Sequence, residues 1–401
     1  MLNAGRAVIG LSCKRGRWPR RRSLTSATFS AKPGPPTMRR VLPLLCACLL
    51  LAGFAWPDGG DALGRRLVAP GGVSPLLPGA RIEQAIARLP HREGHVATSA
   101  GVELFWRAFD PGAYRLDYAY RPDGSERGRM DFSLDFAVPD AAPVAPRGTV
   151  LLLHGWMMDG GSLLPWSLQL AQAGYRTISL DLRNHGRSGA APSGYGLREA
   201  RDVADAVAAL RERGEIVGPL HVMGVSYGAA TAIFSARELG LQVENVVAIE
   251  SFDNAGRAIR DMVPHLLHKA PESLAQQFTH RWLRWQLDDA ALERAIAGAS
   301  QTLRLPLDGV DVGTALAQVP GCVLLLHGSD DAHVPVAHGR ALAAAAPRAR
   351  YIEVPGEDHI SLPMRLDLLA PTVIDWLDNA SPARHCPPPL ALSDPANQRN
   401  A

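Results

Sequence analysis

The stretch that most narrows the range of folds runs from residue 220 to 230, Leu-His-Val-Met-Gly-Val-Ser-Tyr-Gly-Ala-Ala. An apolar, strand-like run there passes through Gly224-Val-Ser226-Tyr-Gly228 straight into a helical pattern. A serine with glycines two residues to either side fits a sharp strand-to-helix turn, where larger side chains at those positions would collide. Such a turn lifts the hydroxyl clear of the sheet end and aims the first amides of the helix at the oxygen of whatever the hydroxyl attacks. No other Gly-x-Ser-x-Gly occurs in the chain.

The rest of the sequence supplies the sheet that this turn needs. Strand-length runs fall at 102–109, 115–120, 130–138, 149–154, 177–182, 220–225, 243–249, 323–327 and 351–354. The first three alternate apolar with polar residues and lie close together, which predicts antiparallel hairpins. The later ones are continuous and separated by helical patterns such as 197–213, 229–239 and 336–346. That rhythm predicts parallel strands in βαβ units, hence an α/β class.

One gap interrupts it. Residues 253–320 carry helical periodicity without a convincing strand and read as a helical cap inserted into a core made of 96–252 and 321–380. Within the insert, Phe278, Trp282 and Trp285 stand at i, i+4 and i+7 and share one helix face. That face either packs on the core or roofs a substrate pocket.

At 401 residues and 47% hydrophobic, the chain has an ordinary globular composition, long enough to bury a core without disulfide staples. Its charge is uneven. Residues 1–55 hold ten Lys or Arg and no acid, so the body without them is acidic, at −7 rather than +3. Basicity confined to a leader argues against a nucleic-acid surface. Met38-Arg-Arg, an apolar stretch at 41–55 and Gly53-Phe-Ala55 read as a signal peptide, so the expected location is exported, periplasmic or cell-envelope. An uncleaved anchor through 41–55 is the alternative, although the stretch is short for a span and contains Pro43. Residues 1–37 are either an organellar presequence or sequence upstream of a true start at Met38. The Gly/Pro-rich 56–95 reads as a linker with one short helix at 82–89, and 381–401 as a disordered tail. Three of the five cysteines lie in the leader; whether the remaining Cys322 and Cys386 pair stays open.

Taken with the serine turn, four further segments give the chain a resemblance to the α/β-hydrolase superfamily over roughly 102–377. They are Leu151-Leu-Leu-His154-Gly155-Trp156, Asp181-Leu-Arg-Asn-His185-Gly186-Arg-Ser188, His327-Gly328-Ser-Asp-Asp331-Ala-His-Val-Pro335 and Gly356-Glu-Asp-His359. The resemblance implies an eight-stranded, mostly parallel sheet, a Ser-acid-His triad, no cofactor and no metal, with specificity set by the cap. Ser226 would be the nucleophile and His359 the base, the latter because it alone follows the last strand in a Gly-x-x-His loop. His154, His185 and His327 would shape loops. Asp331 would be the acid, from the spacing Gly-x-x-Asp-x-x-Val-Pro, with Asp330, Glu250 and Asp253 as alternatives. Backbone amides of Trp156 and Tyr227 would form the oxyanion hole.

A serine nucleophile argues against epoxide opening and halide displacement, for which relatives use aspartate. Carboxylic ester or thioester hydrolysis of a small molecule is the expected reaction. Acyl transfer to an alcohol, aminopeptidase-like hydrolysis and a non-catalytic binding fold are the alternatives. No Asp, His or Cys cluster falls at metal-ligand spacing.

Overall fold

Eight strands form one sheet in the order β1 (Arg92–Ala97), β2 (Glu103–Phe109), β6 (Arg176–Leu180), β5 (Thr149–Leu153), β7 (Leu220–Val225), β8 (Val243–Ile249), β9 (Cys322–Gly328) and β10 (Arg350–Val354). The computed structural model describes residues 59–71, 79–121, 129–136, 144–268, 288–381 and 386–392. From β6 to β10 every neighbouring pair is parallel, while β1–β2 and β2–β6 are antiparallel.

The central strands β5, β7 and β9 are buried along their whole length, which is why they read as unbroken apolar runs. Alternate residues feed two cores. Leu151, Leu153, Val222, Val246 and Leu325 pack in one, with the helices Leu197–Glu212 and Tyr227–Leu239. Val150, Leu152, Met223, Val247 and Leu324 pack in the other, with Trp166 of the helix Leu164–Gln172 and Val373 and Trp376 of Leu366–Asn379. This two-sided burial is the period-2 geometry of a strand sandwiched between helix layers.

The expected hairpins need correcting. β3 (Tyr114–Arg121) and β4 (Arg129–Phe136) do pair antiparallel, but as a separate two-stranded sheet. β2 instead pairs with β1, whose sequence Arg-Glu-Gly-His-Val-Ala has no apolar run because it is a half-exposed edge strand.

The linker reading of 56–95 also fails. Helices Gly59–Val68 and Gly79–Ile86 lie there, and Leu67, Ile82, Ile86 and Leu89 are buried in the core clusters. Arg107, itself buried, donates to Glu83 and Glu93 from this segment.

Part of the expected disordered tail is held as well. Cys386 forms a disulfide with Cys322 on β9, Arg350 donates to the Cys386 and Pro387 carbonyls, and Thr372 donates to that of Leu390.

Between β8 and β9 the described residues of the insert are helical, at Ala255–His268, Asp289–Leu303 and Val312–Ala317. Its base is closed by Ala255 N donating to Val310 O at 3.1 Å and Val312 N to Asp253 O at 2.8 Å. Phe278, Trp282 and Trp285, expected on its aromatic face, lie outside the described residues, as does the leader. Among the described residues no helix is long and apolar enough to cross a membrane.

Candidate active site

Ser226 sits at the C-terminal end of β7, immediately before the helix that begins at Tyr227. Its φ of 54° lies in the left-handed region, a conformation that a non-glycine residue adopts only where its surroundings impose it. The two glycines are required by contact. A Cβ on Gly224 would overlap the Gly228 carbonyl, and one on Gly228 would overlap that of Leu153 on β5. The turn is pinned on its other side by Ser226 N donating to Ile249 O at 2.8 Å.

His359, on the loop after β10, places Nε2 2.9 Å from Ser226 Oγ. Its Nδ1 lies 2.7 Å from Oδ2 of Asp331, on the loop after β9. Asp331 Oδ1 accepts from the His333 and Val334 amides at 2.9 and 2.8 Å. Burial acts to raise the Asp331 carboxyl. The charge of His359, hydrogen bonds from His327 and His359 and the Val334 amide outweigh it and hold the group well below the usual carboxylate range.

The alternative acids are separated by the fold. Asp330 is exposed and accepts from Ser329 Oγ at 2.6 Å. Asp253 pairs with His338 and Arg257 at the base of the insert. Glu250, at the end of β8, is fully buried with Oε2 3.5 Å from His359 Nδ1. It therefore joins Asp331 and His359 rather than replacing either.

The other histidines named from sequence serve as loop fasteners. His154 accepts from Leu182 N at 2.9 Å, and burial, with His185 beside it, pushes its pKa down to about 3. His185 accepts from Met157 N at 3.2 Å, and burial lowers it too. His327 Nε2 lies 2.8 Å from the Val334 carbonyl.

Trp156 and Tyr227 come together at the serine. A Cβ on Gly155 would stand 3.7 Å from Ser226 Cβ, and the Trp156 and Tyr227 rings meet edge-on at 4.9 Å. Tyr227 opens its helix, so its N–H has no partner four residues back within that helix.

Two further residues take part in contacts that the sequence does not signal. Tyr195, at φ 52°, stacks on Trp156 at 5.2 Å and donates from Oη to Leu67 O at 2.9 Å, tying the N-terminal helix to this corner. The His333 ring stacks on His359 at 5.3 Å, and His265 of the insert meets His333 edge-on at 4.5 Å. Tyr195 follows a Gly-rich loop and His333 lies in the Asp331 motif, yet neither has a local signal for stacking. Among the described residues, Glu250, Asp331 and His359 bring ligand-type atoms within 4.8 Å of one another, a closeness that their pairing accounts for.

Comparison with known proteins agrees with this fold. A family model described as "Alpha/beta hydrolase family" matches residues 150–371, more than half of the chain. An uncharacterised protein of Bacillus subtilis (strain 168), YqkD, is 25% identical over 242 residues, which is 59% of this chain and 73% of that protein. The Pyrococcus furiosus esterase Pf2001 superimposes with a TM-score of 0.53 at 16% identity, covering 78% of this chain and 99% of that one. A second crystal form of the same esterase gives 0.50 at 17% identity, over 76% and 92%.

Proposed function

Because the chain belongs to the alpha/beta hydrolase family, we propose that it is a serine hydrolase cleaving carboxylic esters through an acyl-enzyme on Ser226. The observation that carries this reading is the unbroken line from Ser226 Oγ through both nitrogens of His359 to Asp331, at 2.9 and 2.7 Å. In it His359 Nε2 takes the proton as Oγ attacks the ester carbonyl carbon. Asp331 holds the Nδ1–H tautomer and stabilises the imidazolium that forms. The Trp156 and Tyr227 amides receive the charge that develops on the carbonyl oxygen, an interaction whose single donors are typically worth about 10²–10³ in rate. Nε2 then returns the proton to the leaving alcohol, and water releases the acid by the same steps in reverse.

The solved esterase with the same fold agrees with this reaction class. Export fits the Cys322–Cys386 disulfide, since such bonds persist in oxidising compartments. Trp156, with Phe278, Trp282 and Trp285 from the insert, is the proposed wall of an apolar acyl pocket.

The test is a panel of nitrophenyl esters from acetyl to dodecanoyl, with a serine-directed phosphonate as label. We expect hydrolysis and labelling to vanish in Ser226→Ala, and kcat/KM to rise up to about fourfold per methylene until the pocket fills. Retention of a tenth of the rate by Ser226→Ala would overturn the mechanism. An optimum at acetyl, unmoved by Trp282→Ala, would overturn the pocket.

A further inference from the structure

Among the described residues, Glu250 is an acid within ion-pair distance of His359 that the proposed relay leaves unused. Its backbone is held at φ 57°, and its N–H donates to Leu326 O at 2.8 Å, so the chain spends a strained residue in turning this side chain inward. The carboxyl is fully buried, and neither oxygen makes a well-formed hydrogen bond among the described residues. Buried polar groups in native proteins are ordinarily satisfied, so an orphaned carboxyl 3.5 Å from a reacting histidine calls for a role.

The charge balance defines that role. Two buried carboxylates would face one imidazole, and neighbouring carboxyls of this kind share a proton rather than both ionising. Asp331 receives two backbone amides on Oδ1, whereas Glu250 has only a weak backbone contact at Gly328, so the negative charge sits on Asp331 and the proton on Glu250. The titratable groups around Glu250 are Asp331 from the β9 turn and Glu357, Asp358 and His359 from the β10 turn. His327 lies behind Asp331 and His333 stacks on His359, while Arg365 pairs with Glu357. Burial, then the charges of Asp331 and Asp358, raise Glu250 well above the usual carboxylate range, against a weak backbone contact at Gly328.

We propose that Glu250 is a second carboxyl of the Asp331–His359 pair, neutral while Asp331 is charged and able to become the anionic partner of His359 Nδ1 where a neutral side chain replaces Asp331. There Glu250 releases its proton to solvent, and the resulting carboxylate accepts the Nδ1–H that Asp331 held. Glu250 acts through His359 and is thus a positioning residue. The inference rests on the serine-hydrolase reading.

The experiment compares kcat/KM from pH 5 to 10 for the full-length wild type, Asp331→Asn, Glu250→Gln and the double variant, with Ser226→Ala as control. Asp331→Asn should lose on the order of 10², the double variant on the order of 10⁴, the loss typical when a triad acid is replaced without a substitute. Wild type should show an alkaline inflection that Glu250→Gln lacks, and a protonated-carboxyl infrared band that the same variant removes. Equal losses in Asp331→Asn and the double variant would overturn the proposal, as would a larger loss in Glu250→Gln than in Asp331→Asn. Should Asp331→Asn fail to fold, the infrared band decides, and its absence from wild type overturns the proposal. Activity surviving in Ser226→Ala would instead remove the hydrolase reading itself, so the two failures are distinct.

Discussion

At the residue scale, the serine turn is governed by sterics that sequence carries openly. Gly228 has no room for a methyl group against the Leu153 carbonyl, so Gly228→Ala must push the start of the helix Tyr227–Leu239 away from β5. Such overpacking costs about 1–3 kcal/mol or more, and we expect a lower Tm together with loss of phosphonate labelling, because Ser226 moves with the strand-to-helix turn. The two adjacent aspartates make a sharper contrast. Asp331→Asn should lose on the order of 10² or more in kcat/KM, since Asp331 faces His359 Nδ1, whereas exposed Asp330→Asn should stay within about threefold. The reverse ranking on a single nitrophenyl ester would place the acid one residue earlier. The spacing Gly-x-x-Asp-x-x-Val-Pro already favoured Asp331. The position of Glu250 beside the same nitrogen was legible only as an acid at a strand end, because its neighbours come from two distant loops.

At the element scale, buried ionic contacts fasten a loop beside the site to a helix, and a covalent link joins the C-terminal segment to β9. Arg183, in the loop after β6, makes two bonds to buried Asp202 of the helix Leu197–Glu212, at 2.6 and 2.7 Å. Asp202→Asn leaves that guanidinium only Glu199, at 4.0 Å, as a counter-charge, and removing one partner of a buried pair costs up to about 3–5 kcal/mol. Urea denaturation checks this, and a change below about 1 kcal/mol would mean the loop relaxes without it. The Cys322–Cys386 bond closes a loop with a sequence separation of 64 residues. Its reduction should lower stability by about 2–4 kcal/mol and free the segment near 386–392, seen as a lower denaturation midpoint with reductant and a new proteolytic cut. The continuous apolar strands were readable because each is buried on both faces. β1 and the two N-terminal helices were not, since a half-exposed edge strand and short helices between prolines acquire burial only from the core they cover.

For the whole molecule, the carboxylates pull stability in opposite directions with pH. Asp110, held low by Arg92 and Arg176 against burial, and Asp331, held low by His359 and its hydrogen bonds against burial, contribute stability above about pH 4, and it is lost as pH falls through their folded values. Asp181, pushed up to about 6 by burial, and Glu250, raised by burial and neighbouring carboxylates, contribute stability that is present below about pH 4 and lost as pH rises through their folded values. Tm measured from pH 3 to 9 should therefore drop steeply below about pH 4 and decline again as pH rises from about 4 through about 6. In Glu250→Gln the upper decline should be shallower. A wild-type Tm that climbs steadily from pH 4 to 9 would contradict these assignments.

What the sequence by itself determined were the features set by near neighbours along the chain. These are the Gly224-Val-Ser226-Tyr-Gly228 turn, the doubly buried strands that read as apolar runs, and the Gly-x-x-His loop that ends at His359. Each depends on sterics or periodicity within about ten residues. The tertiary structure alone decided that β2 pairs with β1 and not with β3, that Cys322 meets Cys386, that Tyr195 links the N-terminal helix to Trp156, and that Glu250 shares His359 with Asp331. Those outcomes depend on distances between segments far apart in the chain, and so do the charge states at the site, because burial and neighbouring charges exist only once those segments have packed.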